Sequence, residues 1–165
     1  MSTFATRPSF TTPEQQPVLS FLGSPERLLL AGHHTGGEFA LFESTGHRGH
    51  TAPTHRHLHA SETFIVLDGE MLIQVGDERR VASAGDAAVL PRGLPHTFVV
   101  LSSTARYMTL HTPAGFDDFV HAVSDLAAGG GNPDRAALSA AAAEHGIEIL
   151  GPGLPLPSQD AAGNG

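Results

Sequence analysis

The stretch His55-Arg56-His57-Leu58-His59-Ala60-Ser61-Glu62 decides how this chain is read. In an extended strand successive side chains point to opposite faces. His55, His57 and His59 therefore project together, and a carboxylate follows at Glu62. Imidazole and carboxylate are the donors that hold Zn, Fe, Mn, Ni, Co or Cu. With His47 and His50 just upstream, this region gathers five of the chain's eleven histidines. No other part of the sequence concentrates chemistry in this way.

The residues around the histidines have physical uses of their own. Pro53 precedes the histidine strand and keeps the backbone extended. Glu62 lies past a short turn at the head of the next apolar run, where Glu62, Phe64 and Val66 share a face. Asp68-Gly69 reads as a hairpin turn. Downstream, Gly85, Pro91 and Gly93 punctuate the way to another strand, on which His96, Phe98 and Val100 share a face. If these faces look into one barrel, three imidazoles and a carboxylate converge among apolar side chains.

The wider text supports such a barrel. From Val18 to His111 it consists of short apolar or alternating runs: Arg27–Ala31, Glu38–Glu43, Glu62–Leu67, Met71–Val75, Ala87–Leu90, His96–Leu101 and Arg106–His111. Turn signals such as Gly76-Asp77 separate them. Many short strands at regular spacing predict an all-β antiparallel sandwich or barrel over residues 18–112. Residues 1–17 are polar, carry Pro8, Pro13 and Pro17, and read as an N-terminal arm.

The pattern changes after Pro113. Phe116, Phe119, Val120, Val123 and Leu126 recur at helical spacing, with Asp117 and Asp118 where the helix dipole favours acids. Gly129-Gly130-Gly131 ends this helix. A second is predicted from Pro133 to about His145, with Asn132 as N-cap and Gly146 as stop. Ile147–Leu150 reads as extended and Gly151–Pro157 as a stiff apolar tail, whose Leu154 and Leu156 are placed to cap the barrel mouth. Residues 113–157 thus form a C-terminal appendage of helices and tail, and 158–165 are expected to be disordered.

Composition excludes several chemistries. The net charge of -8 offers no basic patch for nucleic acid. All nine cationic residues are Arg, so a lysine Schiff base and a P-loop lysine are absent. With no cysteine there is no thiolate nucleophile, disulfide or Fe–S cluster. Met1–Phe10 lacks the apolar region of a secretory signal, and no apolar run approaches the ~20 residues that span a bilayer. The expectation is a soluble, acidic, cytoplasmic protein without a nucleic-acid or membrane partner.

The two series have fixed spacings: Gly49-x5-His55-x-His57-x4-Glu62-x6-Gly69, then Gly85-x5-Pro91-x-Gly93-x2-His96. They resemble the paired motifs of the cupin superfamily at nine of ten fixed positions. The tenth, an Asn, is Val100 here. The fifteen residues Glu70–Ala84 between the series equal the short spacing of compact microbial cupins. The resemblance covers residues 49–100 by motif and about 25–112 by strand pattern. It implies a small jelly-roll β-barrel with one divalent transition metal, its identity open, held by His55, His57, Glu62 and His96.

In detail the chain is similar to single-domain proteins of the quercetin dioxygenase type. The features are the His-x-His-x4-Glu spacing, the Thr112-Pro-Ala-Gly-Phe116 lead into a helix, and the Gly146-Ile-Glu-Ile…Gly-Pro tail. That resemblance implies a metal-dependent dioxygenase acting on a small enolic, phenolic or dicarbonyl substrate with dioxygen, Glu62 also serving as catalytic base. A non-redox isomerase, cyclase or lyase and a non-catalytic ligand-binding cupin are the alternatives. A homodimer is expected, because an exposed sheet edge invites pairing.

The remaining histidines are assigned elsewhere. His59 shares parity with His55 and His57 and could replace one of them, but Glu62 then follows too closely, and the pocket rim or solvent is the preferred placement. His47 and His50 are expected on the surface, His33-His34 in a turn, and His121 and His145 on helices. His111, in line with Tyr107 and Thr109, reads as a satisfied core or rim histidine rather than a catalytic one.

Overall fold

The structure is a computed structural model and describes residues 7–158. Residues 7–17 run alongside the second strand: Thr11 donates to the Leu29 carbonyl at 2.8 Å, and the Pro17 carbonyl accepts from the Leu28 amide. The strands are β1 (Val18–Phe21), β2 (Ser24–Leu30), β3 (Ala40–His47), β4 (Thr54–His57), β5 (Ser61–Asp68), β6 (Glu70–Val75), β7 (Glu78–Ser83), β8 (Ala87–Leu90), β9 (His96–Val100), β10 (Thr104–Thr112) and β11 (Ile147–Gly151). The helices are α1 (Gly32–Thr35), α2 (Phe116–Ala127) and α3 (Arg135–Glu144). Most residues of the call for disorder at 158–165 lie outside the described range.

The strands form two sheets that pack face to face as a jelly roll. One has the order β1-β2-β3-β10-β5-β8 and the other β11-β4-β9-β6-β7, and every pairing is antiparallel. The chain changes sheet between β3 and β4 and again between β4 and β5, so the histidine strand and the glutamate strand face each other across the interior. Alternation does the rest. Ala40, Phe42 and Ser44 of β3, Glu62, Phe64 and Val66 of β5, and Tyr107, Thr109 and His111 of β10 are all buried.

Asp68-Gly69 is a corner between sheets rather than a hairpin, because β5 and β6 belong to different sheets. Gly69 has φ +81°, and a Cβ there would collide with the Thr104 carbonyl and approach Ala105 Cα at 2.9 Å. Gly76-Asp77, in contrast, does join the paired strands β6 and β7.

The helices extend the core. Phe119 and Val123 of α2 pack with Leu138, Ala141 and Ala142 of α3 and with Ile147 of β11. Val120 packs on the other side against Leu28, Ala40 and Phe42 of the barrel. The N-cap of α3 is Asp134, whose carboxylate accepts from the Ala137 amide at 2.8 Å, so the helix starts two residues later than an Asn132 cap would place it. Strand β11 then pairs with β4, placing Ile147 opposite His57 and Ile149 opposite His55. The tail beyond it lies along the segment before β4, with the Pro152 carbonyl accepting from Thr54 Oγ1 at 2.7 Å.

Buried Asp117 ties the appendage to the barrel. Its two carboxylate oxygens accept from the Gly32 amide at 2.8 Å and the Gly115 amide at 2.9 Å, joining the starts of α1 and α2. Hydrogen bonds to a charged acceptor are worth about 1.5–3 kcal/mol each. Asp117→Ala is therefore expected to destabilise the fold by about 3 kcal/mol in urea denaturation. A loss below about 1 kcal/mol would show that the appendage is held by packing alone.

Candidate metal centre

Three strands deliver the site. β4 brings His55 and His57, β5 brings Glu62, and β9 brings His96, which is the direct cross-strand partner of His55. One ligand atom from each of His55, His57, Glu62 and His96 lies within 4.8 Å of the others. Glu62 Oε2 is 3.4 Å from His57 Nε2 and 3.2 Å from His96 Nε2. The rings of His55 and His96 are 4.4 Å apart between centroids, and those of His57 and His96 5.3 Å. The four residues expected from the motif are therefore together.

The backbone orients two of the imidazoles. His55 Nδ1 lies 2.7 Å from the Pro53 carbonyl and His96 Nδ1 lies 3.0 Å from the Leu94 carbonyl. A carbonyl only accepts, so each Nδ1 carries the hydrogen and each Nε2 keeps its lone pair. This is how metal-bound histidines are commonly held. The Nε2 atoms of His57 and His96 are buried without a hydrogen-bond partner. Buried polar atoms rarely remain so. A divalent cation held by three imidazole nitrogens and a carboxylate would satisfy them, so the donor set fits a metal ion.

A fifth group escapes the motif. His111 is fully buried and stands directly opposite Glu62 in the β10–β5 ladder. Its Nε2 is 3.6 Å from Glu62 Oε1, and neither ring nitrogen has a hydrogen-bond partner. Phe116 stacks on it with centroids 3.9 Å apart, and Phe42 meets it edge-on at 5.9 Å. It is thus a buried histidine left unsatisfied beside the carboxylate, not a satisfied one. Its inward parity was visible in the sequence, but its pairing with Glu62 needs a cross-strand register that local spacing does not carry.

His59 is exposed and lies against Gly146, away from the group. His33 and His34 fall in α1. His50 departs from its expected surface position. It is half-buried, lines the cavity, and its Nδ1 is 3.1 Å from Ser24 Oγ.

The cavity enters between the sheets, with His55, Glu62 and His96 on its wall. Phe64 and Phe98 come from the barrel, Phe21 from β1, and Phe116, Phe119, Leu138, Ile147 and Ile149 from the appendage. Leu154 and Leu156 are not among the lining residues, so the mouth is walled by α2, α3 and β11 rather than by the tail. The cavity volume is about 60 Å³, below the usual size of small-molecule pockets, and it runs on into an open mouth. A second carboxyl, Glu26 of β2, also lines it and accepts a hydrogen bond from Ser44 Oγ.

The two carboxyls have opposite tendencies. Burial pushes Glu62 up, but the neighbouring imidazoles, His111 first and then His57 and His96, outweigh it and hold Glu62 well below the ordinary carboxylate range. Burial pushes Glu26 up to about 8, against the Ser44 bond and with some help from the charge of Glu62. Burial, then the neighbouring imidazoles His96 and His57, depress His55 to about 3. Burial depresses His111 to about 4 against the pull of Glu62. At neutral pH the centre is an ionised carboxylate beside imidazoles with free lone pairs, as metal binding requires.

Two outcomes follow. His96→Ala is expected to lower bound divalent metal from about one ion per chain to a tenth or less by elemental analysis, whereas His59→Ala leaves it unchanged. Equal metal content in the two variants would contradict the assignment. In the metal-free protein, His55 and His111 take up protons in the unfolded chain first as pH falls below 6.5, so each lowers stability. Glu26 acts oppositely between 4.5 and 8, because the unfolded chain ionises first as pH rises. Two protons against one leave a net loss of about 1 kcal/mol per unit between pH 6 and 5, read from urea midpoints. A midpoint that rises over that interval would contradict neutral imidazoles.

Comparison with known proteins agrees with this construction. Residues 42–111 match the Cupin domain family. Over 105 residues, 58% of this chain, the sequence is 30% identical to quercetin 2,3-dioxygenase of Bacillus subtilis (strain 168), and the chain spans 31% of that protein's length. Two solved structures share the fold. KdgF from Halomonas sp. aligns with a TM-score of 0.59 at 21% identity, over 67% of this chain and 97% of that one. An RmlC-like cupin from Shewanella frigidimarina NCIMB 400 aligns at 0.58 and 23%, over 66% and 94%. With both motifs, the two-sheet jelly roll and the domain match in agreement, residues 42–111 are a cupin domain.

Proposed function

We propose that this protein is a metal-dependent oxygenase that adds dioxygen to a small aromatic or apolar substrate bearing an enol, phenol or 1,3-dicarbonyl-like oxygen. The observation that carries the reading is the largely buried His55, His57, Glu62 and His96 group opening onto an apolar, phenylalanine-lined cavity. The 30% identity to a quercetin 2,3-dioxygenase supports it. When bound, a divalent transition ion held by those four residues would supply a Lewis acid for the substrate oxygen and a redox partner for dioxygen.

The chain's own groups supply the proton chemistry. Glu62 is ionised and lines the cavity, so it can take the proton of the substrate hydroxyl as general base. The anion left behind is electron-rich and is the form that dioxygen attacks. His111, close to the other oxygen of Glu62 and clamped by Phe116, limits where that carboxylate can swing. Phe64, Phe98, Phe116 and Phe119 keep water from the anion and offer ring faces to a flat substrate.

The same reading takes a cytoplasmic setting, which the lack of cysteine supports, and a second copy of the chain as partner. Edge strands β7 and β8 leave Val81 55% and Val89 64% exposed, an apolar margin suited to pairing. No described helix is long and apolar enough to cross a membrane.

The test is an oxygen electrode with 3-hydroxyflavone, an enolic chelator, and the metal-loaded protein. Oxygen uptake matched to loss of the compound is expected, and Glu62→Gln should lower kcat about 10²- to 10⁴-fold. Metal content, measured in parallel, separates loss of the base from loss of the ion. Conversion at full rate without oxygen would replace this reading with a non-redox isomerase, cyclase or lyase. A mass near 17.2 kDa by light scattering would remove the dimer.

A further inference from the structure

We propose that Glu26, with Ser44 and Tyr107, forms a second polar anchor in the cavity, donating a hydrogen bond to an uncharged oxygen at the end of the substrate remote from Glu62. The inference rests on the oxygenase reading and narrows its substrate class. The substrate would be an elongated aromatic molecule with an enolic oxygen at one end and a hydroxyl or carbonyl at the other.

The sheet register builds this anchor. Glu26 of β2 is the cross-strand partner of Ser44 in β3, and Ser44 is the partner of Tyr107 in β10. The three form one rung across the inner face, and all three line the cavity. Glu62 and His111 form another rung, four residues farther along β10. At ~3.3 Å per residue the rungs are about 13 Å apart at the backbone. Between them lies Thr109, flanked by Phe42 and Phe64 as cross-strand partners. The wall therefore reads polar, mostly apolar, polar along the axis of a long substrate.

The chemistry of Glu26 is that of a donor. It is buried, and among the described residues its one hydrogen bond is accepted from Ser44 Oγ at Oε2, leaving Oε1 without a partner. Held neutral by burial up to about pH 8, the acid has a hydrogen to give at pH 7. Tyr107, raised well above the ordinary phenol range by burial, then by Glu26 and Glu62, also stays protonated. Ser24, two residues earlier on the same face, holds His50 at that end of the cavity. A leucine at position 26 would fill the core without burying a polar group. Among the described residues no second hydrogen bond reaches the Glu26 carboxyl, and an uncharged ligand oxygen would supply one.

The probes are 3-hydroxyflavone and 3,4′-dihydroxyflavone, which differ by one hydroxyl at the far end. Their affinities are measured calorimetrically without oxygen on the metal-loaded protein, so turnover does not enter. The wild-type protein should bind the 4′-hydroxyl compound about fivefold to tenfold more tightly. Glu26→Leu, or Glu26→Met where leucine packs badly, should abolish the preference while keeping the affinity for 3-hydroxyflavone. Glu26→Gln, which keeps a donor, should retain it. Thermal melts confirm that each variant is folded. Equal affinity in the wild-type protein, or a preference that survives Glu26→Leu, overturns the anchor and leaves the oxygenase reading standing. Binding of neither compound overturns the enolic-substrate reading and the anchor with it.

Discussion

A carboxylate stripped of water must be compensated within the protein, and Glu62 imposes that constraint on the whole interior. The groups that surround it are imidazoles on three other strands: His57 on β4, His96 on β9 and His111 on β10. No single sheet can supply them, because β4 and β9 belong to one sheet and β5 and β10 to the other. The two sheets must close on each other at the right level for the charge to be tolerated. The corner at Gly69, the β5–β10 register and the clamp of Phe116 on His111 all serve that closure.

The appended helices are part of the same arrangement. Phe116, the first residue of α2, touches His111, His57, Phe42, Phe21 and Phe119 through its ring. It joins the barrel interior to the helical core and sits between the histidines and the cavity mouth. A jelly roll ending at β10 would leave His111 and His57 facing water on that side, with weaker control over their protonation. The environment also separates the two cavity carboxyls: Glu62, surrounded by imidazoles, stays charged, while Glu26, with a lone serine, stays neutral.

Much of this was legible in the sequence, and the unread parts share a cause. His55, His57, Glu62 and His96 could be placed because strand parity and motif spacing are local properties. The apolar periodicity of α2 was equally plain. His111 and Glu26 acquire meaning only from cross-strand register: one faces a residue 49 positions earlier, the other a serine 18 positions later. Glu26, in Ser24-Pro-Glu-Arg, carries no local signal of its own. Strand β7, Glu78-Arg-Arg-Val-Ala-Ser, escaped because an edge strand exposes charge and shows no clean alternation. Asp68-Gly69 misled because the same dipeptide that suits a hairpin also suits a corner, and only the fate of the next strand tells them apart.

The position of β11 also bears on how the molecule is made. Strand β4 is four residues long and meets β9 at a single aligned pair, so its other neighbour, β11, contributes much of its ladder. That neighbour is synthesised about ninety residues after the histidines it supports. During translation, His55 and His57 therefore leave the ribosome well before the strand that steadies them. The donor set reaches its final arrangement only after the helices have folded back and β11 has docked, and until then the emerging chain carries free imidazoles without a rigid cage. Topology thus makes assembly of the centre a late event in folding, and any ion captured earlier would have to be held by a looser set of ligands.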